Sequence, residues 1–195
     1  MPVPTPFLRV DPDRMRRNVR RVAEHARAAG VDLRPHAKTH KSLDIARLQL
    51  ASGAVGLTVA TVAEAEIFAR GGCTDLFIAY PLWIDDDRAL RLRDLADGVR
   101  LAIGVDSPES AANAGRLLGG TGIEVLVEVD SGHHRTGVAP EHAGWVATAA
   151  HRTGLVVRGA FTFPGHSYSP GAAEGAATAE RSALEDRKST RLNSS

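Results

Sequence analysis

The stretch DLFIAYPLWIDDDRALRLRDLADGVRLAIGV, Asp75 to Val105, decides the fold. It opens on a short apolar run, DLFIAY, with no polar alternation. Such a run suits a strand buried on both faces, as parallel strands are. A helical segment follows from about Asp85 to Ala96. Asp85, Asp86 and Asp87 stand at its start, where the helix dipole favours negative charge, and that accounts for the triplet without a metal. VRLAIGV then reads as a second strand. Strand, helix, strand in this order implies parallel pairing through a crossover.

The same alternation extends both ways. Asp11 is placed to cap a helix, with Pro12 at its first position and Met15, Val19, Val22 and Ala26 as an apolar stripe that Gly30 ends. VDLRPHAK reads as a strand and SLDIARLQLASG as a helix. VGLTVA is β-rich, and TVAEAEIFARGG opens with Thr61 and Glu64 in capping-box spacing. Beyond Val105, SPESAANAGRLLGG is a helix capped by Ser107, IEVLVEVD a strand, PEHAGWVATAAHRTG a helix and LVVRGAFTF a strand. About six strand–helix repeats result. An open doubly wound sheet and a (β/α)8 barrel both fit. No G-x-G-x-x-G follows the first strand, which weakens a dinucleotide-binding sheet. A full barrel needs eight repeats and ~250 residues, so the barrel would be incomplete.

The chain has 195 residues, 43% hydrophobic and 24% charged, with a net charge of +1. That balance suits a globular domain and argues against bulk nucleic-acid or membrane binding. The lone cysteine, Cys73, excludes a disulfide framework and reads as a small buried residue. No apolar run approaches the ~20 residues of a membrane span, and the N-terminus carries no signal-peptide pattern. The expected location is the cytoplasm. The tail DRKSTRLNSS, Asp186 to Ser195, breaks off an alanine-rich helical pattern. It can be encoded by a string resembling a sequencing-adapter oligonucleotide. The expectation is a non-native tail on a domain covering residues 5–185, with the natural gene continuing.

Three segments at strand ends could carry chemistry. RPHAKTHK, Arg34 to Lys41, packs two histidines and two lysines into eight residues. Strand alternation would put His36 and Lys38 on one face, with His40 joining them if the strand runs on. A partly buried lysine among cations is a competent amine nucleophile toward an aldehyde. A phosphate-contacting cluster and a solvated loop remain open as readings. Metal binding by His36 and His40 is disfavoured, because no carboxylate or cysteine lies near. EVDSGHHRTGV, Glu128 to Val138, offers Asp130, His133, His134 and Arg135 to an anionic oxygen. TFPGHSY, Thr162 to Tyr168, offers His166 and Tyr168 beside Gly165.

These three segments resemble the fold-type III pyridoxal-phosphate enzymes. The branch is that of D-threonine aldolase and D-serine dehydratase, which share the alanine racemase-type N-terminal barrel. The resemblance implies an α/β fold: a partial (β/α)8 barrel of about six repeats, lacking the last barrel repeats and the C-terminal β-domain. It implies pyridoxal 5'-phosphate as cofactor, with Lys38 as the lysine forming the internal aldimine. His36, Arg135, His166 and Tyr168 would complete the cofactor site in this chain, with Arg135 near the phenolic oxygen. Phe163 stands where many relatives have histidine, so no role is carried over there. A divalent metal is implied for the full-length protein alone, with no ligand in this chain. The implied activity is lyase chemistry on small D-3-hydroxy amino acids by a full-length homodimer, with the fragment inactive and prone to aggregate. Amino-acid racemisation and non-catalytic pyridoxal-phosphate homeostasis are the alternatives. Near-zero net charge and the lack of aromatic interleaving disfavour an RNA- or phosphate-binding module.

Overall fold

The structure is a computed structural model that describes residues 5–7 and 9–185; the tail expectation for 186–195 falls outside them. The chain divides into two compact units, Met1–Thr58 and Val59–Ser195.

In the first unit, α1 (Pro12–Ala28) starts where expected. Asp11 Oδ1 accepts hydrogen bonds from Asp13 N and Arg14 N at 3.0 Å each. The buried stripe differs by one residue from the expected one. Ala23 and Ala26 are buried, while Val22 is 48% exposed. Met15, Val19 and Ala23 recur every four residues, so the inward face passes through Ala23 and leaves Val22 on its flank. α2 (Leu43–Ala51) is capped by Ser42 and packs against α1.

The expected strand VDLRPHAK is not a regular strand. His36 makes one isolated parallel bridge to Thr58, and Thr58 N donates to Pro35 O at 2.8 Å. Pro35 has no N–H to continue a ladder. From Ala37 to Thr39 the backbone closes into a 3₁₀ turn instead.

The five strands are β1 (Leu57–Val59), β2 (Asp75–Ile78), β3 (Arg100–Val105), β4 (Glu124–Val129) and β5 (Val156–Thr162). They lie in one sheet in chain order, and the three pairings from β2 to β5 are all parallel. A doubly wound sheet reverses its order at a switch point; this one does not. Consecutive parallel neighbours with intervening helices α3 (Val62–Arg70), α4 (Asp86–Ala96), α5 (Pro108–Leu118) and α6 (Ala143–Arg152) make a partial (β/α)8 barrel. Among the described residues, five strands and the His36–Thr58 bridge stand in place of the six strands expected.

Local chemistry explains the second unit's elements. Thr61 Oγ1 accepts from Glu64 N, while Glu64 Oε2 reaches past the cap to Ala60 N at 2.8 Å. Ser107 caps α5 as the sequence indicates, and Asp85 of the acidic triplet caps α4. Leu76, Ile78, Leu101, Ile103 and Val125 are fully buried strand residues, consistent with coverage on both faces. Cys73 is buried and its thiol donates weakly to Asp75 O, a packing role. Gly104 leaves room for the Phe161 ring, which meets Phe77 edge-on at 4.9 Å. Gly115 of α5 packs so close to α6's end that any Cβ would overlap the Thr153 side chain. α7 (Ala173–Glu185) packs on the 3₁₀ turn Gly165–Tyr168 that follows β5. No helix among the described residues is long and apolar enough to cross a membrane.

Candidate functional site

His36, Lys38 and His40 belong to the first unit. His36 caps the 3₁₀ turn: its Nδ1 accepts from Lys38 N at 3.3 Å. That bond holds the backbone of Lys38 in the turn. Lys38 is exposed, not partly buried, so the burial argument for a nucleophilic amine is not supported by its surroundings. Strand alternation also fails to describe the pair, because the chain leaves the extended conformation at Ala37. His40 serves the turn's exit. Its Nδ1 accepts from Ser42 N at 3.1 Å and its Nε2 faces Gln49 Oε1 at 3.2 Å. Burial pushes its pKa down, against both bonds. Lys41 then takes a left-handed backbone, φ 46°, in which side chains are rare. Backbone strain of this kind recurs at functional sites.

Arg135, His166 and Tyr168 belong to the second unit, at the C-terminal ends of β4 and β5. After Val129 the chain reverses. Asp130 N donates to Val138 O and Val138 N to Glu128 O, both at 2.9 Å. Asp130 Oδ1 accepts from Gly132 N and His134 N, and its Oδ2 meets His134 Nδ1 at 2.7 Å. Burial raises the Asp130 pKa, but these hydrogen bonds and the His134 ring outweigh it and the net direction is down. His134 itself has φ 55° and points its ring outward, so it works as a loop clasp.

This loop delivers Arg135 onto an aromatic floor. Its guanidinium carbon lies 4.3 Å from the Phe163 ring centroid and 5.4 Å from that of Tyr80. Its Nη2 is 4.0 Å from Glu128 Oε1. His133 meets Phe163 edge-on at 5.3 Å and stacks on His166 at 6.4 Å. The His166 Nδ1 is buried and has no hydrogen-bond partner. Tyr168 is 81% exposed, with its ring 6.2 Å from Phe163. Ser131 and Thr162 hydroxyls join across β4 and β5. Among the described residues no group of three metal-ligating side chains occurs. Asp85 is an N-cap whose carboxylate accepts from Arg88 N.

Two side chains here escape a reading by motif. Tyr80 follows β2, and its loop is pinned by buried Asn113, whose amide bonds both Ile84 N at 2.8 Å and Ile84 O at 3.0 Å. Glu128 is 2% exposed at the end of an otherwise apolar strand end. A carboxylate inside EVLVEV was the available signal. Phe163 is the centre of the aromatic floor, at the position for which resemblance gave no role.

Residues 10–192 match the family model described as the alanine racemase N-terminal domain. The chain belongs to that family. An uncharacterized protein of Mycobacterium tuberculosis is 51% identical over 130 residues, 66% of this chain and 76% of that protein. The D-threo-3-hydroxyaspartate dehydratase of a Delftia species is 36% identical over 185 residues, covering 91% of this chain and 48% of that one. Its solved structure superposes with a TM-score of 0.83. The D-threonine aldolase of Filomicrobium marinum gives 0.79 at 31% identity, covering 94% of this chain and 53% of that one. The chain thus spans about half the length of these two enzymes. Together they put it in the fold-type III pyridoxal-phosphate superfamily, on the D-threonine aldolase and dehydratase branch.

Proposed function

We propose that the protein to which this family domain belongs is a pyridoxal-phosphate-dependent lyase acting on small D-3-hydroxy amino acids. The observation that carries the reading is the Arg135 guanidinium seated on Phe163 at the ends of β4 and β5, in a chain related to such lyases. Racemisation is the weaker reading: the relatives named dehydratase or aldolase reach 36% identity, and three solved alanine racemases give 20–25%.

The residues suit the cofactor. Its phenolic oxygen and phosphate are anionic, and the second unit offers a cation on an aromatic floor beside an imidazole nitrogen that lacks a partner. When bound, the cofactor supplies an electron sink for bonds at the substrate's α-carbon. Lys38 Nζ would hold its aldehyde carbon, and His36 would fix the Lys38 backbone through the bond to Lys38 N. Arg135 would face the phenolic oxygen and keep it ionised. His166, through Nδ1, would donate to a ligand oxygen, and Tyr168 would stand at the rim. Any divalent metal would be held outside this chain's described residues. The homodimer remains part of the proposal.

The test is optical and chemical. Protein mixed with pyridoxal phosphate is expected to turn yellow, and borohydride should fix the cofactor on Lys38. Lys38→Ala should abolish both; colour that survives this substitution overturns the lysine assignment. In turnover assays D-threonine should yield glycine and an aldehyde, or D-serine a 2-oxo acid and ammonia. Conversion of D-alanine to L-alanine alone would reject lyase chemistry.

A further inference from the structure

Glu128 has no task in that reading, yet it is a costly residue. It is flanked by Val127 and Val129 in β4, both buried, and its side chain is 3% exposed. Oε1 accepts from the Thr136 hydroxyl at 2.9 Å; Oε2 is buried with no hydrogen-bond partner. Burial pushes the Glu128 pKa up. The Thr136 bond and Arg135 oppose that, and the neighbouring carboxylates of Asp106 and Asp130 add to it. A half-satisfied buried carboxylate is poor material for stability alone, since an apolar residue would fill the place at lower cost.

The loop geometry shows what the acid faces. The chain reverses between Glu128 and Val138 through the paired backbone bonds. Gly137, at φ 102°, closes the reversal against the Asp130 backbone. That closure lays Thr136 on Oε1 and brings Arg135 Nη2 to the same oxygen at 4.0 Å. The same guanidinium has its carbon 4.3 Å from the Phe163 ring centroid.

We infer that Glu128 is a positioning residue whose carboxylate holds the Arg135 guanidinium over the Phe163 ring, so that the cation meets an anionic ligand oxygen already oriented. Preorganised charge costs no reorientation when the ligand arrives. The identity of the anion as the cofactor's phenolic oxygen rests on the proposed function; the hold on Arg135 does not. A plain loop staple is the competing role. It needs only an acceptor for Thr136, which glutamine supplies, whereas holding Arg135 needs the charge.

The experiment uses the full chain, first without cofactor. Phenylglyoxal modification is followed by peptide mass spectrometry at Arg135, with Arg158 as internal standard. Glu128→Gln is expected to speed labelling of Arg135 several-fold and leave Arg158 unchanged. Glu128→Asp, which keeps the charge, should fall between wild type and Glu128→Gln, and it decides the matter alone if the glutamine variant does not fold. Labelling of both variants at the wild-type rate overturns the inference. Pyridoxal phosphate is then added and the pH midpoint of its visible band is recorded. A midpoint displaced in Glu128→Gln supports the orientation toward the cofactor, and an unmoved midpoint overturns that part. A wild-type chain that binds no pyridoxal phosphate refutes the proposed function, while the labelling result still decides whether Glu128 holds Arg135.

Discussion

The two ends of β2 to β5 carry similar charges and treat them oppositely. At the N-terminal ends, Arg100 lies 3.7 Å from Asp75 and 2.8 Å from Glu124, and Arg158 lies 3.3 Å from the other oxygen of Glu124. Cation and anion alternate across neighbouring strands, a ladder that ties the sheet together. At the C-terminal ends, Glu128 keeps one oxygen unpartnered, Arg135 stays 4.0 Å away, and His166 holds a buried nitrogen without a bond. His134, Gly132 and Gly137 all take positive φ there. One end uses charge for cohesion. The other holds strain and open bonding capacity, the usual division in a parallel barrel between a stabilising face and a reactive one.

Three substitutions would break or sharpen this contrast. Gly137→Ala should have the largest effect. A Cβ there would sit 2.8 Å from Asp130 N at a φ of 102°; with both strain and overlap, the expected loss is about 2–4 kcal/mol by urea unfolding. A loss within error of zero would mean the reversal is looser than its backbone bonds indicate. Arg100→Ala should lower Tm modestly, because the pair partners are largely shielded but Arg100 is half exposed and screened. The loss should shrink as salt is raised, and no change in Arg135 labelling should accompany it; a change there would erase the separation of the two ends. The smallest effect concerns acid. The folded-state pKa of Asp130 is depressed, so its contribution is present above the ordinary carboxylate value and is lost as pH falls through the folded one. Asp130→Asn should therefore reduce stability at neutral pH and converge with wild type in acid. Parallel curves at all pH values would sink the clasp role.

Legibility followed the same divide. Local rules found capped helices: Asp11, Thr61 and Ser107 all cap as their sequence positions indicate. A short apolar run located β2, and β-rich composition between helices located the other strands. The reading failed at RPHAKTHK, where Pro35 interrupts a ladder that β-like composition suggested, and where a 3₁₀ turn replaces the strand. It also assigned Val22 to a stripe that a four-residue repeat through Ala23 displaces. At the site, the sequence singled out Arg135 and His166 but not Glu128, Phe163 or Tyr80. Phe163 and Tyr80 acquire meaning only through Arg135, far along the chain, and Glu128 only through a loop reversal that no spacing rule reports.

The sequence by itself determined the alternation of elements, because propensity, capping and burial patterns act within a few residues. It also carried the family motifs around Lys38 and Arg135. The tertiary structure alone decided that the strands run in unbroken order, since pairing partners are set by packing rather than by local preference. It alone brought one guanidinium near both an aromatic ring and a buried acid, because that arrangement depends on β4, β5 and a reversed loop closing on one another.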